Sequence, residues 1–164
     1  MTVIKQPNHV YNDLGHSVYN YTGHATIGCL YDPARSRKDI AAEVRRQLAI
    51  YYPTKAGYKF SVTCSSGRGI DIKILKVPYK IVNPKHNPRA FKPYDINREP
   101  RYMPEAIELV RQVESILAAY NYSDCDGMTD YFNVNFYGSV QYDYAIENKE
   151  YTDNKVRTQE PVII

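Results

Sequence analysis

Hydrophobic and polar residues follow the same order twice along this chain. In residues 38–76 and again in residues 104–146, apolar residues spaced three and four apart precede two stretches in which apolar and polar residues alternate. The first spacing is typical of an amphipathic helix, and alternation is typical of a strand with one buried and one polar face. We therefore predict two copies of a helix followed by a strand pair.

The first copy begins with a helix. Ser36 and Asp39 can each accept the free amide hydrogens of a helix N-terminus, and Pro53 ends the helical pattern. The apolar stripe of this helix consists of Ile40, Ala41, Val44 and Leu48. We expect this stripe to pack against the sheet, because charged residues occupy the opposite side of the helix.

Two alternating strands follow, at residues 58–64 and 70–74, around a glycine-containing turn at residues 65–69. Their predicted buried face consists of Tyr58, Phe60, Val62, Cys64, Ile70, Ile72 and Ile74. Because Cys64 falls on this face, we predict an inert buried thiol rather than a reactive one. The turn predicts a β-hairpin.

The second copy repeats the order. Pro104 suits the first turn of a helix, whose apolar stripe consists of Ala106, Ile107, Val110, Val113, Leu117 and Tyr120. Residues 124–127 predict a turn, and strands follow at 131–136 and 139–146 around Tyr137 and Gly138. Their predicted buried face consists of Phe132, Val134, Phe136, Val140, Tyr142, Tyr144 and Ile146.

Four strands and two helices predict a single α+β domain over residues 1–164. We expect a two-layer sandwich, with a four-stranded, mainly antiparallel sheet and both helices on one face. The sheet order stays open, and the other face of the sheet is polar. Residues 1–31 are an N-terminal extension with weak signals for edge strands at 17–21 and 25–27, and residues 147–164 are a polar tail.

The two copies are separated by a basic, proline-rich insertion at residues 77–104. Its prolines are Pro78, Pro84, Pro88, Pro93, Pro100 and Pro104, and prolines at this density exclude a helix or an inner strand. Its apolar residues are Tyr79, Ile81, Val82, Phe91, Tyr94, Ile96 and Tyr102. They indicate a segment held against the domain, and a connection this long is usually functional.

Composition adds three constraints. The chain has 17 Tyr, 4 Phe and no Trp, an excess that suits half-buried strands and wet interfaces. Bases exceed acids at residues 29–55 and 79–102, and acids exceed bases from residue 123 onward. A basic middle fits nucleic acid or an acidic protein as partner, although two solvated faces that differ in charge are the favoured explanation. Three scattered cysteines indicate reduced thiols in a cytoplasmic protein, and no apolar run is long enough to span a membrane.

Two groups of potential metal ligands lack the spacing of a known metal site. The first is Asp124, Asp126 and Asp130 around Gly127, which lacks the arrangement of a calcium loop and is better explained as an Asx-type turn. The second is His9, Asp13, His16, His24 and Cys29, which lacks the close ligand pairs of a zinc site. We therefore expect neither a metal nor a cofactor.

The turn at residues 65–69 is rich in backbone amides, but it lacks the spacing and the following helix of a phosphate-binding loop. The sequence shows no nucleophile beside a base and no recognisable pair of carboxylates. We therefore expect no catalytic residues, with a small enzyme of unrecognised class as an alternative.

Residues 38–146 resemble a known family. The resemblance rests on the helix at 40–48, on Pro53, on Lys59-Phe-Ser-Val62, Ser65-Ser66 and Gly69-Ile-Asp-Ile72, and on Asp126-Gly-Met-Thr-Asp130 with its final hairpin. These features resemble one of the small domains attached to the large polyvalent proteins of phages and conjugative elements, the twenty-ninth domain of that series. The resemblance implies a mobile-element protein that acts in the cytoplasm of a bacterial host, often against host defences. The insertion and the N-terminal extension depart from the family pattern, and no catalytic residues carry over.

These features predict an accessory protein that binds and inhibits a host macromolecule without catalysis. The expected partner is a host protein or a ribonucleoprotein complex, because arginine and tyrosine concentrate binding energy at interfaces. The predicted partner-binding residues are Arg68, Arg89, Phe91, Lys92, Tyr94, Arg98, Arg101 and Tyr102. The alternative is single-stranded nucleic acid on the polar sheet face, where tyrosines would stack on bases and lysines would follow phosphates. That alternative uses Lys59, Lys73, Tyr131, Asn133, Asn135 and Tyr137.

Overall fold

The structure, a computed structural model, describes residues 9–11, 17–22, 25–86, 100–126 and 131–157. Its helices are α1 (Arg37–Tyr51), α2 (Pro104–Ala118) and α3 (Tyr144–Arg157), with a 3₁₀ turn at Thr54–Ala56. Its strands are β1 (His9–Tyr11), β2 (Ser17–Thr22), β3 (Ala25–Ile27), β4 (Lys59–Cys64), β5 (Gly69–Lys76), β6 (Tyr122–Asp126), β7 (Tyr131–Val134) and β8 (Tyr137–Tyr142). The α+β class is confirmed.

The strands form two sheets. The first has three strands in the order β4-β5-β8, and the second has five in the order β1-β2-β3-β6-β7. In the first sheet β4 and β5 are antiparallel, with Val62 opposite Ile72, whereas β5 and β8 are parallel, with Ile72 opposite Val140. The expected single four-stranded sheet is therefore not what the chain forms.

Helix α1 forms as its sequence predicts. Ser36 is the N-cap, and the Ser36 hydroxyl and Asp39 carboxylate form a reciprocal capping box with the two backbone amides. The apolar stripe of α1 is buried against β4, and α1 also contacts α2. Because charged residues such as Glu43 and Arg46 lie on the opposite side, its burial comes from this one face.

The core lies between the three-stranded sheet and the helices α1 and α2. Ile70, Ile72 and Ile74 of β5 are fully buried, as predicted from their alternation. On α2 the buried stripe differs in part from the prediction, because Leu109 is buried whereas Ile107 is 40% exposed. Each buried side chain of this kind contributes roughly 1.5–3 kcal/mol.

The predicted second hairpin is wrong. Strand β7 pairs with β6 in the five-stranded sheet, and β8 pairs in parallel with β5. Asn121 accounts for the change of direction between them, because its side chain accepts from Phe136 N at 3.2 Å and donates to Phe136 O at 3.0 Å. The two backbone groups of Phe136 are thus satisfied outside any hairpin, and its ring is 1% exposed.

The C-terminal region also differs from the prediction. The last strand ends at Tyr142 rather than at residue 146, and α3 occupies part of the expected polar tail. Asp143 causes the transition, since its Oδ1 accepts from Ala145 N at 2.9 Å in the manner of an N-cap. Tyr144, expected in the core, is therefore 72% exposed at the start of the helix.

Three smaller expectations change. Strand β3 lies between β2 and β6, so it is an inner strand rather than an edge. Strand β6 runs through Asp126, so residues 124–126 are strand rather than the predicted turn, and Gly127 lies outside the described residues. Cys64 is exposed rather than buried, because β4 is an edge strand and its thiol lies beside Arg37 O at 3.7 Å.

Candidate functional site

Helix α3 holds one end of the insertion through Glu150. Its carboxylate accepts the backbone N–H groups of Ile81 at 3.0 Å and Val82 at 2.8 Å. Both residues are almost fully buried, and a buried N–H without a partner costs about 1–3 kcal/mol. Glu150 thus makes burial of this part of the insertion possible.

The other end of the insertion meets Glu147, one turn earlier on α3. The Glu147 carboxylate forms an ion pair with the Arg101 guanidinium and accepts the Tyr102 hydroxyl. Its side chain is 5% exposed, whereas that of Arg101 is 51% exposed. A buried carboxylate is stable only when paired and hydrogen-bonded. Burial, followed by the bond to Glu147, raises the pKa of Tyr102 above its usual range, so this hydroxyl stays a donor.

The two ends also pair with each other. Val82 and Tyr102 form an antiparallel bridge, and Asn83 N donates to Arg101 O at 3.0 Å. Residues 87–99, between these ends, lie outside the described residues. We call the paired ends together with Glu147 and Glu150 the clamp. It fixes where the insertion leaves and rejoins the domain.

Two of the predicted partner-binding residues lie in the clamp. Arg101 and Tyr102 belong to the clamp, and the Tyr102 ring packs against Tyr142 with their centroids 5.3 Å apart. Arg68 lies apart from them, exposed in the turn between β4 and β5. The remaining predicted contacts lie outside the described residues: Arg89, Phe91, Lys92, Tyr94 and Arg98.

The turn that carries Arg68 forms the predicted hairpin connection. Gly67 has φ +83°, a left-handed conformation that glycine adopts without strain. The backbone is bonded internally, since Ser65 N donates to Gly69 O at 3.1 Å and Arg37 Nη1 donates to Ser65 O at 3.2 Å. The turn joins β4 directly to β5 and no helix follows it, which favours a hairpin turn over a phosphate loop.

A second candidate surface is the uncovered face of the three-stranded sheet. Its residues alternate with the buried ones: Lys59, Ser61, Thr63, Asp71, Lys73, Tyr137, Ser139 and Gln141. Cross-strand pairing aligns Ser61, Lys73 and Gln141 in one row. Tyr137 is 59% exposed and pairs with Gly69, which carries no side chain beside it. The predicted spare polar face thus exists on this sheet.

An ionised aspartate lies within this face. The Ser139 hydroxyl donates to Asp71 Oδ1 at 2.6 Å, and hydrogen bonds from Ser139 and Ser65 lower the pKa of Asp71. The carboxylate lies in the row beside that of Lys73. The face therefore carries mixed charge, which weakens it as a continuous phosphate track.

The structure brings together half of the predicted nucleic-acid residues. Lys59, Lys73 and Tyr137 share the uncovered face of the three-stranded sheet. Tyr131 and Asn133 belong to β7 of the other sheet, and Asn135 follows that strand. Alternation assigns each residue to a face but does not say which sheet its strand joins, so the two groups were merged in the prediction.

Sequence analysis missed Glu147 and Glu150, which were placed in a solvated tail. The signal is their three-residue spacing on one helical face, directly after Asp143 as a potential N-cap. Reading residues 139–146 as a strand concealed that helix start. An acidic pair on one helical face, opposite a basic insertion, is thus the sequence feature that marks the clamp.

Within the part of the chain that the structure describes, no three His, Cys, Asp or Glu residues are grouped to hold a metal ion. The helices in that part include none with the length and apolar character of a membrane span. The chain matches no protein-family model, and no curated protein or solved structure was found to match it.

Proposed function

We propose that this chain is an accessory protein of a phage or other mobile element, which binds and inhibits a host macromolecule in the bacterial cytoplasm without catalysis. The insertion is the docking element. The observation that carries this proposal is the clamp, in which Glu147 and Glu150 hold both ends of a basic segment.

The clamp favours binding because it reduces the entropy lost on association. A loop whose ends are fixed has fewer conformations to lose when it docks, so more of its contact energy becomes affinity. The expected contacts are Arg89, Phe91, Lys92, Tyr94 and Arg98, with Arg68 next to them in rank. The expected partner is a host protein or a ribonucleoprotein complex with an acidic surface.

The test separates docking from folding. The partner is first captured from host lysate by crosslinking, and its affinity for purified wild-type chain is then measured. Arg98→Glu should abolish binding while the unfolding midpoint stays unchanged. The matched control is Arg111→Glu, because Arg111 is an exposed base on α2, away from the clamp; it should bind as wild type.

A second variant replaces residues 87–99 by a Gly/Ser linker and keeps the clamp. If this variant retains full inhibitory activity in host cells, the insertion is not the docking element and the proposal fails. The same conclusion follows if Arg98→Glu and Arg111→Glu weaken binding equally, since that would indicate a general charge effect.

The uncovered sheet face supports a second candidate, the binding of single-stranded nucleic acid. The specific observation is that Lys59, Lys73 and the 59% exposed Tyr137 share one face. Binding of this kind should weaken steeply with salt, and Tyr137→Ala should lose about 1–3 kcal/mol of affinity. Tyr51→Ala is the control, because Tyr51 ends the helix on the opposite side of the sheet. Absent or salt-independent binding to both DNA and RNA oligonucleotides excludes this candidate.

A further inference from the structure

One edge of the three-stranded sheet is open. Tyr137 N donates to Arg68 O at 2.8 Å. Every second residue of β8 bonds to β5 in the same way along the parallel ladder. Because successive residues of a strand direct their N–H and C=O groups to opposite sides, those of Gly138 and Val140 point away from β5. No hydrogen bond joins them to another residue of the described chain. The β8 edge thus presents unpaired donors and acceptors.

A groove runs along this edge. It consists of two adjoining cavities of about 380 and 250 Å³, which share Ala118, Asn121, Phe136 and Gly138. Helix α2 forms its floor, and Ser123 and Val134 of the second sheet form its far wall at one end. Volumes of this size suit a short extended segment rather than a folded domain.

Gly138 shows why the edge remains accessible although β8 lies directly on α2. A Cβ at Gly138 would lie 2.7 Å from Leu117 Cδ2, so the strand approaches the helix as closely as glycine allows. Gly138 is nevertheless exposed. Because glycine has no side chain, its exposed atoms are backbone atoms.

The groove also has a charge. Glu114 is exposed on α2 and lines the cavity beside Val140, and no described base forms an ion pair with it. A second copy of the chain paired antiparallel around Val140 would bring two Glu114 carboxylates to one interface, where they would repel each other. A lysine or arginine from a different chain would instead be attracted.

We propose that the β8 edge binds an extended, basic peptide segment of a partner protein, which adds to the sheet as a fourth strand. Main-chain hydrogen bonds from Gly138 and Val140 supply affinity, the apolar lining accepts alternate side chains, and Glu114 selects the basic residue. This surface is distinct from the insertion, so it adds a second docking mode to the proposed function.

The test uses the full-length chain and a display library of random seven-residue peptides. Enriched peptides should alternate apolar residues and carry at least one lysine or arginine. A synthetic copy of an enriched peptide should slow amide hydrogen exchange at Gly138 and Val140. N-methylation on the pairing edge of that peptide should weaken binding about tenfold or more, because each methyl group removes a hydrogen bond.

Two variants complete the design. Glu114→Lys should weaken binding of the basic peptide about tenfold, whereas Arg98→Glu in the insertion should bind it as wild type. The proposal is overturned if no peptide is enriched, or if N-methylation has no effect. It is also overturned if exchange at Gly138 and Val140 slows with protein concentration alone, because the occupant is then a second copy. Partner docking by Arg98→Glu tests the proposed function, and peptide binding by the same variant tests the β8 edge. The failure of one proposal can therefore be distinguished from the failure of the other.

Discussion

The two helix–strand copies begin with the same residue pattern and end in different topologies. In the first copy, β4 and β5 follow α1 and pair with each other. In the second copy, β7 and β8 follow each other directly and belong to different sheets. The comparison shows that alternation determines which face of a strand is buried, whereas its pairing partner depends on residues outside the strand.

The connection between β4 and β5 reverses the chain, whereas the connection between β7 and β8 does not. Gly67 takes a left-handed conformation that reverses the chain, so β4 and β5 form a hairpin. Phe136 lies between β7 and β8 and is buried. Both of its backbone groups bond to the side chain of Asn121, which precedes β6. The chain therefore continues into a new sheet instead of reversing.

The two copies also differ in how a helix covers the edge strand of the three-stranded sheet. At the β4 edge, Arg45 Nη2 donates to Val62 O at 2.7 Å and Arg37 Nη1 donates to Ser65 O at 3.2 Å. Helix α1 thus binds one carbonyl of β4 and one of the turn that follows it. Helix α2 provides no such cover for β8 among the described residues, and proteins that leave an edge open invite strand pairing there.

The largest expected effect tests which residues of the two copies occupy the core. Phe136→Ala should reduce the free energy of unfolding by about 3–5 kcal/mol, because Phe136 is 1% exposed and its loss leaves a cavity. Phe60→Ala, at the half-buried position of β4, should cost clearly less. Urea unfolding of both variants measures the difference, and equal losses would contradict the assigned burial.

The next prediction concerns the side chain that prevents the second hairpin. Asn121→Ala leaves Phe136 N and Phe136 O without their partner, so we expect a loss of about 2 kcal/mol in the free energy of unfolding. Asn133→Ala is the matched control, because Asn133 is exposed on β7, and it should cost less than about 0.5 kcal/mol. Chemical denaturation decides between them.

Much of the first copy could be predicted from sequence because its determinants are local. Ser36 and Asp39 cap α1 as expected, and the isoleucines of β5 are buried as expected. The uncovered polar face was likewise predicted from alternation. In each case, residues within a few positions of one another carry the information.

The second copy could not be predicted in the same way because its determinants are distant in sequence. Asn121 acts on Phe136, and Glu150 acts on Ile81 and Val82, 68 to 69 residues away. Parallel pairing of β5 with β8 likewise joins segments from different copies. Periodicity contains no information about such pairs, so the clamp and the β8 edge emerge from the structure alone.

A smaller effect is expected where the insertion between the two copies meets α3. Arg101→Glu places a carboxylate against the buried Glu147 and removes its ion pair, so we expect a loss of about 1–2 kcal/mol in the free energy of unfolding. Because the Arg101 side chain is 51% exposed, water screens part of the repulsion. The measurement is the melting temperature of Arg101→Glu, with Arg98→Glu as the comparison. A clamp role for Arg101 is contradicted if both reversals leave the melting temperature unchanged.

The smallest expected effect concerns Asp71, which links the copies through Ser65 of the first and Ser139 of the second. Their hydrogen bonds lower the pKa of Asp71 from 3.8. Since the pKa is lower in the folded state, the stabilisation is present above the unfolded pKa and is lost as pH falls through the folded pKa. Asp71→Asn should therefore be less stable than wild type at pH 7, by about 0.5 kcal/mol given its exposure, and the difference should shrink at pH 3. Urea unfolding of both proteins at the two pH values measures it. A difference that does not change with pH would mean that the carboxylate charge contributes nothing to joining the copies.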